Sequence, residues 1–374
     1  MSKVAYLMGA GASYGKREKD SLERGIPERI TEGLPTVDEM PIRLRKVKEL
    51  FEQYTFNNDD IIENKNTNDS LTYRNCQRLL VDDFEWLIEN SGKHATIDTF
   101  AKKLFLTGKK EEYAKLKRLL SVYFKVEQLM TPPDSRYDSF LATVLQPNVK
   151  GQLRISEDIS ILTWNYDSQF EIAYMGYLSD GLYKENIEFP SDLGIDIHSN
   201  VSDFVKPFSR HDNGERQIFK LNGSAAFHTE YSMAHYYLNH HGQLDDGMIR
   251  AILEIYAAPY YKNGESKLSM LNFAWDSENE YEAKTNYKER IESAICDAIS
   301  LVVIGYSFPY FNRETDAFIL SKMKNLEHIY IQDPHAGDIK ESLINLLRKI
   351  DSGLSKDKII LQTNVGQFFL PPEL

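Results

Sequence analysis

Cysteine is nearly absent: Cys76 and Cys296 are the only two in 374 residues. Two thiols cannot build a four-thiolate zinc site, and no Cys-x-x-Cys occurs, so neither a zinc ribbon nor a disulfide framework is expected. Such sparing use of thiols suits a reducing compartment, and the cytoplasm is the expected location. Long apolar runs are missing too. No window approaches the roughly 18 uninterrupted apolar residues of a transmembrane helix, and Met1–Met8 is too short, and too soon followed by glycine, for a signal peptide. Runs of Lys and Arg are also lacking. The chain carries 44 Lys and Arg against 56 Asp and Glu, a net charge of −12. This balance argues against nucleic acid and anionic membrane as direct partners, because both need clustered cations.

What is present is a set of short β-rich apolar runs: Lys3–Met8, Ile159–Thr163, Gln217–Leu221, Leu301–Ile304, Ile329–Gln332 and Lys358–Gln362. Several are apolar throughout, as strands buried on both faces of a parallel sheet are. The first, second and fourth lead into a small or polar turn and then a helical pattern, which is α/β order. The expected fold is a single domain built on a Rossmann-like parallel sheet flanked by helices, carried by about residues 1–35, 151–228 and 291–374. Residues 36–150 show helical periodicity, at Leu79–Ile88 and Glu111–Met130, and read as a mostly helical insertion with a polar loop at 57–70. A second, Tyr-rich insertion is expected at about 229–290.

The candidate site residues lie where these runs end. Gly9, Ala10, Gly11, Ala12 and Ser13 follow the first run, in "LMGAGASYG". Glycine lets a backbone approach a diphosphate, and a helix N-terminus supplies amide donors; the bland alternative is a tight turn that needs glycine for packing. A dehydrogenase fingerprint is not met, because Tyr14 stands where its spacing wants glycine and no acid-ended second strand follows. Nor is there a phosphate-loop Lys-Ser/Thr. Thr163, Asn165 and Asp167 alternate past the second run, at the sheet edge where ligands bind in open parallel sheets. Asp167 could equally cap the following helix. Asn222 and Gly223 follow the third run, Gly305 and Ser307 the fourth, and Gln332 and Asp333 close the fifth. The three histidines of "HYYLNHHG" (235–242) lack metal-ligand spacing and read as a polar loop, so no metal is expected. "YAAPYY" (256–261) reads as core and interface.

Taken in order, Gly-Ala-Gly-Ala-Ser, Thr-x-Asn-x-Asp, Leu-x-Gly-Ser, Gly-x-Ser and a last strand resemble the core motifs of the sirtuin superfamily. The resemblance implies NAD as substrate. It places Gly9, Ala10, Gly11, Ala12 and Ser13 along the diphosphate, Asn165 and Asp167 at the nicotinamide ribose and carboxamide, and Gly305 and Ser307 on the adenosine side, where Gln332 and Asp333, at their own strand end, could meet the adenosine ribose. Two departures matter. The zinc ribbon of the protein deacylases is missing, and Leu221-Asn222-Gly223 stands where most members carry Leu-His-Gly. Asparagine does not titrate, so the base that deacylation requires is lost. His228, six residues on, could substitute, or could be an ordinary packing residue. "GLPT" (33–36) and "GYSF" (305–308) resemble bacterial sirtuin-like defence proteins, which implies an NAD glycohydrolase that depletes NAD during phage infection. Simple hydrolysis demands less of the site than deacylation does: it must orient the ribose, stabilise an oxocarbenium-like transition state and admit water. An effector of this kind must be held off in healthy cells. The expected control is self-association, or a separate subunit such as an ATPase, an Argonaute-like protein or a nucleotide sensor. The alternative function is a weakened nucleotide-binding subunit without turnover.

Overall fold

The computed structural model describes residues 3–18, 29–36, 39–57, 61–62, 71–147, 153–177, 196–199, 217–227, 244–261, 269–276 and 281–374. Its contacts gather into two compact units, one of Met1–Gly33, Pro133–Ser224 and Asn272–Leu374, the other of Leu34–Pro132 and Ala225–Leu271.

The first unit is an α/β layer structure. Seven strands, β1 (Val4–Met8), β2 (Ile159–Thr163), β3 (Asp196–Ser199), β4 (Gln217–Lys220), β5 (Ser300–Ile304), β6 (His328–Gln332) and β7 (Ile359–Gln362), form one sheet in the order β7-β6-β5-β1-β2-β4-β3. All six neighbouring pairs run parallel. Every residue of β1, β2 and β5 is buried, which is why these strands read as unbroken apolar runs. β3 escapes a sequence reading because "DIHS" holds one large apolar residue, and as an edge strand it pairs on one side only. In register, Met8 lies beside Thr163 and Ile304, Thr163 beside Lys220, and Ile304 beside Gln332. One row of residues thus closes the C-terminal edge of the sheet, where the candidate loops begin.

Two features differ from expectation. Among the described residues no α-helix follows β1 before the ribbon. The chain makes a single 3-10 turn, Ala10–Ser13, and then a short antiparallel ribbon of Lys16–Glu18 with Arg29–Glu32. Further ribbons pair Ile61–Ile62 with Leu71–Thr72 and Leu145–Pro147 with Leu153–Ile155, all too short to leave a sequence period. The Ser135–Val144 helix, read as part of the insertion, belongs to the sheet unit. Its Tyr137 and Phe140 meet Phe170 and Phe368 edge to face, and Phe140 meets Tyr6.

The second unit contains the helices Met40–Gln53, Tyr73–Ser91, Ile97–Leu106, Lys110–Met130 and Asp246–Tyr261. Their apolar stripes bury Leu44, Val47, Phe84, Leu87, Leu116, Leu119 and Tyr123. The buried acid Glu127 is held bidentate by Arg43 at 2.9 and 2.5 Å, and Asp83 accepts from Lys115 at 2.9 Å and from Tyr256 at 2.7 Å. In "YAAPYY", Tyr256 is buried and Tyr260 exposed. Most of the 57–70 loop and all of the 235–242 histidine segment lie outside the described residues. Among the described residues no helix is long and apolar enough to cross a membrane.

Candidate active site

The glycine loop packs directly on the loop that follows β5. The Gly9 amide donates to the Ile304 carbonyl and the Gly11 amide to the Gly305 carbonyl, each at 3.0 Å. A Cβ on Gly9 would stand 2.6 Å from the Gly305 oxygen, and one on Gly305 would stand 2.3 Å from Gly11 Cα. The packing reading of these glycines is therefore realised, and two amides read as diphosphate donors are already engaged. Only a 3-10 turn follows, so the loop does not open an α-helix of its own. Ala10 is exposed and Gly11 half-buried, so the loop's outer side remains open.

The loop is clamped from a direction the motif reading did not consider. The Gly15 amide donates to Asp134 Oδ2 at 2.7 Å, and Arg136 donates to the Gly11 carbonyl at 2.8 Å while paired with Asp134 at 2.5 Å. In sequence these residues show only a cap signal: Asp134 accepts from the Arg136 amide at the start of the Ser135–Val144 helix.

Past β2, Thr163 Oγ1 accepts from the Asn165 amide at 3.1 Å and turns the chain. Asn165 Nδ2 then donates to the Gly9 carbonyl at 2.9 Å and to Ser13 Oγ at 3.1 Å, tying the first two motifs together. Ser13 Oγ also lies 3.0 Å from the Tyr137 hydroxyl and hydrogen-bonds Asp167. Asp167 is not the helix cap, a position held by Ser168; one residue earlier, its Oδ1 accepts from the Gln169 amide at 3.0 Å in a turn that leads into the Gln169–Met175 helix. Burial pushes its carboxyl above the usual carboxylate range, against the pull of the Lys220 ammonium, the Gln169 amide and the Ser13 hydroxyl, while Glu171 pushes it further up.

Asn222 sits across from them, 7% exposed. Among the described residues its Nδ2 makes only long contacts, 3.4 Å to both the Trp164 carbonyl and the Tyr166 hydroxyl, and its Oδ1 is buried without a hydrogen-bond partner. Gly223 follows in the left-handed region at φ +72°. His228, proposed as a substitute base, lies outside the described residues.

A carboxylate missed in the sequence lies behind Trp164. Asp316, 1% exposed, accepts from Trp164 Nε1 at 3.2 Å and from the Tyr306 hydroxyl at 2.8 Å. Among the described residues no cation faces it, and burial pushes its carboxyl up to about 8, against the hydrogen bonds from Tyr306 and Trp164. The folded chain therefore holds a proton here that the unfolded chain releases near pH 4. The stability this proton contributes is complete below about pH 4 and is lost as pH rises towards about 8. Asp316→Asn is expected to flatten the fall in stability between pH 5 and about 8, read from urea titrations across that range. An unchanged slope would assign the fall to other groups.

The remaining motif residues are divided in use. Gln332 spends both Nε2 hydrogens on the carbonyls of Asn364 and Gln367, at 2.7 and 2.6 Å, and its Oε1 accepts from the Phe369 amide at 2.9 Å. It is a clamp for the C-terminal segment and leaves no donor for an adenosine ribose. Asp333 makes a tight turn onto the His335 amide at 2.7 Å. Ser307 is exposed beside Phe308, which adopts φ +53°. Among the described residues no His, Cys, Asp and Glu cluster suits a metal ion. Comparison of the chain with protein-family models finds no match, and comparison with curated protein sequences finds none either.

Proposed function

We propose that the C-terminal edge of the sheet binds NAD and hydrolyses its nicotinamide–ribose bond, releasing nicotinamide and ADP-ribose. The observation that carries this reading is Asn222 Oδ1, a buried acceptor that has no partner among the described residues and belongs to a side chain lying against Trp164 and Tyr166. An unmet buried acceptor costs about 1–3 kcal/mol, and a ligand rich in O–H and N–H donors, such as a ribose bearing a carboxamide ring, offsets that cost. Cleavage breaks the C1′–N bond, and the electron pair neutralises the pyridinium, so nicotinamide leaves without a general acid. The Asp167 carboxylate supplies the negative field for the oxocarbenium-like sugar. Asn165 and Asn222 orient the ribose and the attacking water, whose proton passes to solvent. The absence of a titrating base at position 222 slows the reaction by ~10²–10⁴-fold relative to a site that has one.

The motif order and the "GYSF" element extend the proposal to a toxic effector of a bacterial anti-phage system, held off by self-association or by a partner subunit. A second reading, nucleotide binding without turnover, is favoured by the same Asn222 and by the use of Asp167 Oδ1 in the turn onto Gln169. The test is incubation of the purified chain with NAD, with nicotinamide and ADP-ribose followed by chromatography and Asp167→Asn as control. Both products from the wild type and none from the variant support hydrolysis. Saturable NAD binding without products favours the second reading, and neither binding nor products overturns both.

A further inference from the structure

Below the candidate site, Lys220 ends β4 with its side chain 2% exposed. A buried ammonium is costly unless it is paired and hydrogen-bonded. Here Nζ donates to Glu171 Oε1 at 2.8 Å and to the Asp167 backbone carbonyl. Lys220, Glu171 and Asp167, with Tyr137, Thr163 and Met8, line a small cavity with room for about one water. One ammonium therefore pairs with the Glu171 carboxylate and holds the Asp167 backbone, and the Asp167 carboxyl feels both charges. Lys220 stands on a strand, Glu171 on the Gln169–Met175 helix, and only Asp167 belongs to the motif loop.

We propose that Lys220 and Glu171 form a positioning pair that governs Asp167 from beneath: Lys220 fixes the Asp167 backbone and favours its ionised form, while Glu171 opposes it. The inference rests on Asp167 being the charged group of the proposed site. The other polar groups facing Asp167 are the Ser13 hydroxyl from the glycine loop and Tyr137 from the Ser135–Val144 helix; Asp134 and Arg136 on that side are paired with each other. Neither Ser13 nor Tyr137 carries charge near neutral pH, so the sign of the field at Asp167 is decided by Lys220 and Glu171.

The arrangement predicts an order of titration. Without Glu171 (E171Q), Asp167 ionises at lower pH than in the wild type. Without Lys220 (K220M), the two buried carboxylates repel and Asp167 ionises at higher pH, by at least about one pH unit, a tenfold change in ionised fraction at fixed pH. The double variant K220M/E171Q falls between K220M and the wild type, because both opposing charges are gone. The measurement is the carboxyl carbon-13 shift of labelled aspartate against pH in the ligand-free protein, with the Asp167 signal identified by its loss in D167N. If K220M does not fold, the double variant, which removes both members of the ion pair, and E171Q, in which an amide oxygen and the Asp167 carbonyl still accept from Lys220, supply the order. Identical Asp167 titration in the wild type, E171Q and K220M/E171Q would overturn the proposal and leave Lys220 a purely structural cation. Because no substrate is present, this failure is distinct from a failure of NAD cleavage. Where the chain cleaves NAD, the acid limb of its pH profile is expected to move in the same order.

Discussion

Asn165→Ala is expected to lower NAD cleavage by at least about 10²-fold in kcat, the usual cost of losing a fixed polar group that positions the reacting centre. The reason is geometric. One amide nitrogen bridges the Gly9 carbonyl and the Ser13 hydroxyl, at 2.9 and 3.1 Å, so it is the link between the glycine loop and the β2 loop. The same truncation removes one donor from each acceptor, while the Gly9 carbonyl keeps the Ala12 amide and Ser13 Oγ keeps Tyr137 and Asp167, so the fold should lose about 0.5–1.5 kcal/mol per lost bond. Asn165→Asp separates the two effects. It keeps the shape and an acceptor oxygen but removes both N–H donors, so it should destabilise at least as much as alanine. Steady-state nicotinamide release and urea unfolding measure the pair. Wild-type kcat in the alanine variant would remove Asn165 from the chemistry and leave it only a tether.

The second large effect concerns Gly305→Ala, which is expected to cost at least about 3 kcal/mol or prevent folding of the sheet unit. Gly305 sits at φ +57°, where an L side chain is disfavoured, and its added Cβ would meet Gly11 Cα at 2.3 Å. The obstacle is backbone, which cannot swing aside as a long side chain can. Relief would have to part the loops after β1 and β5, and with them the bonds from the Gly11 amide to Gly305 and from the Gly305 amide to Gln332, both 3.0 Å. Gly337→Ala is the matching control. Gly337 lies in the first turn of the Ala336–Lys349 helix, and nothing stands within 4 Å of its added Cβ, so stability should change by no more than about 0.5 kcal/mol. Thermal melting of both variants checks the pair. A Gly305→Ala protein that melts with the wild type would show that the loops can part without cost.

These two predictions differ in how far the sequence could have reached them. Asn165 is legible: it lies two residues past an unbroken apolar strand, in a polar alternation with Thr163 and Asp167. Gly305 is legible as a glycine after a strand, but its partner is not, because Gly11 lies almost three hundred residues earlier in the chain. The motif leaves a phosphate cradle and a packing turn both open for Gly9 and Gly11; in the folded chain Gly9, Gly11 and Gly305 serve first to bring two loops together. The same holds for Gln332. As the last residue of a strand it was a fair candidate for a ligand contact, yet its amide is consumed by residues 364–369, whose path no local pattern reveals.

The sequence by itself determined the parallel sheet, the strand ends that carry the motifs and the helical character of residues around 79–88 and 111–130, because burial on both faces and the helical repeat each write a local period into the chain. It could not show that β3 completes the sheet, since a polar four-residue edge strand leaves no such period. Tertiary structure alone decided that Lys220 turns inward to Glu171, that Asp134 and Arg136 clamp the glycine loop, that Asp316 lies buried behind Trp164, and that Asn222 keeps an unmet acceptor. Each of these depends on a partner distant in sequence. The charge and hydrogen bonding of a buried polar group are set by what the fold brings within about 3 Å of it, and a neighbour in sequence is seldom that neighbour in space.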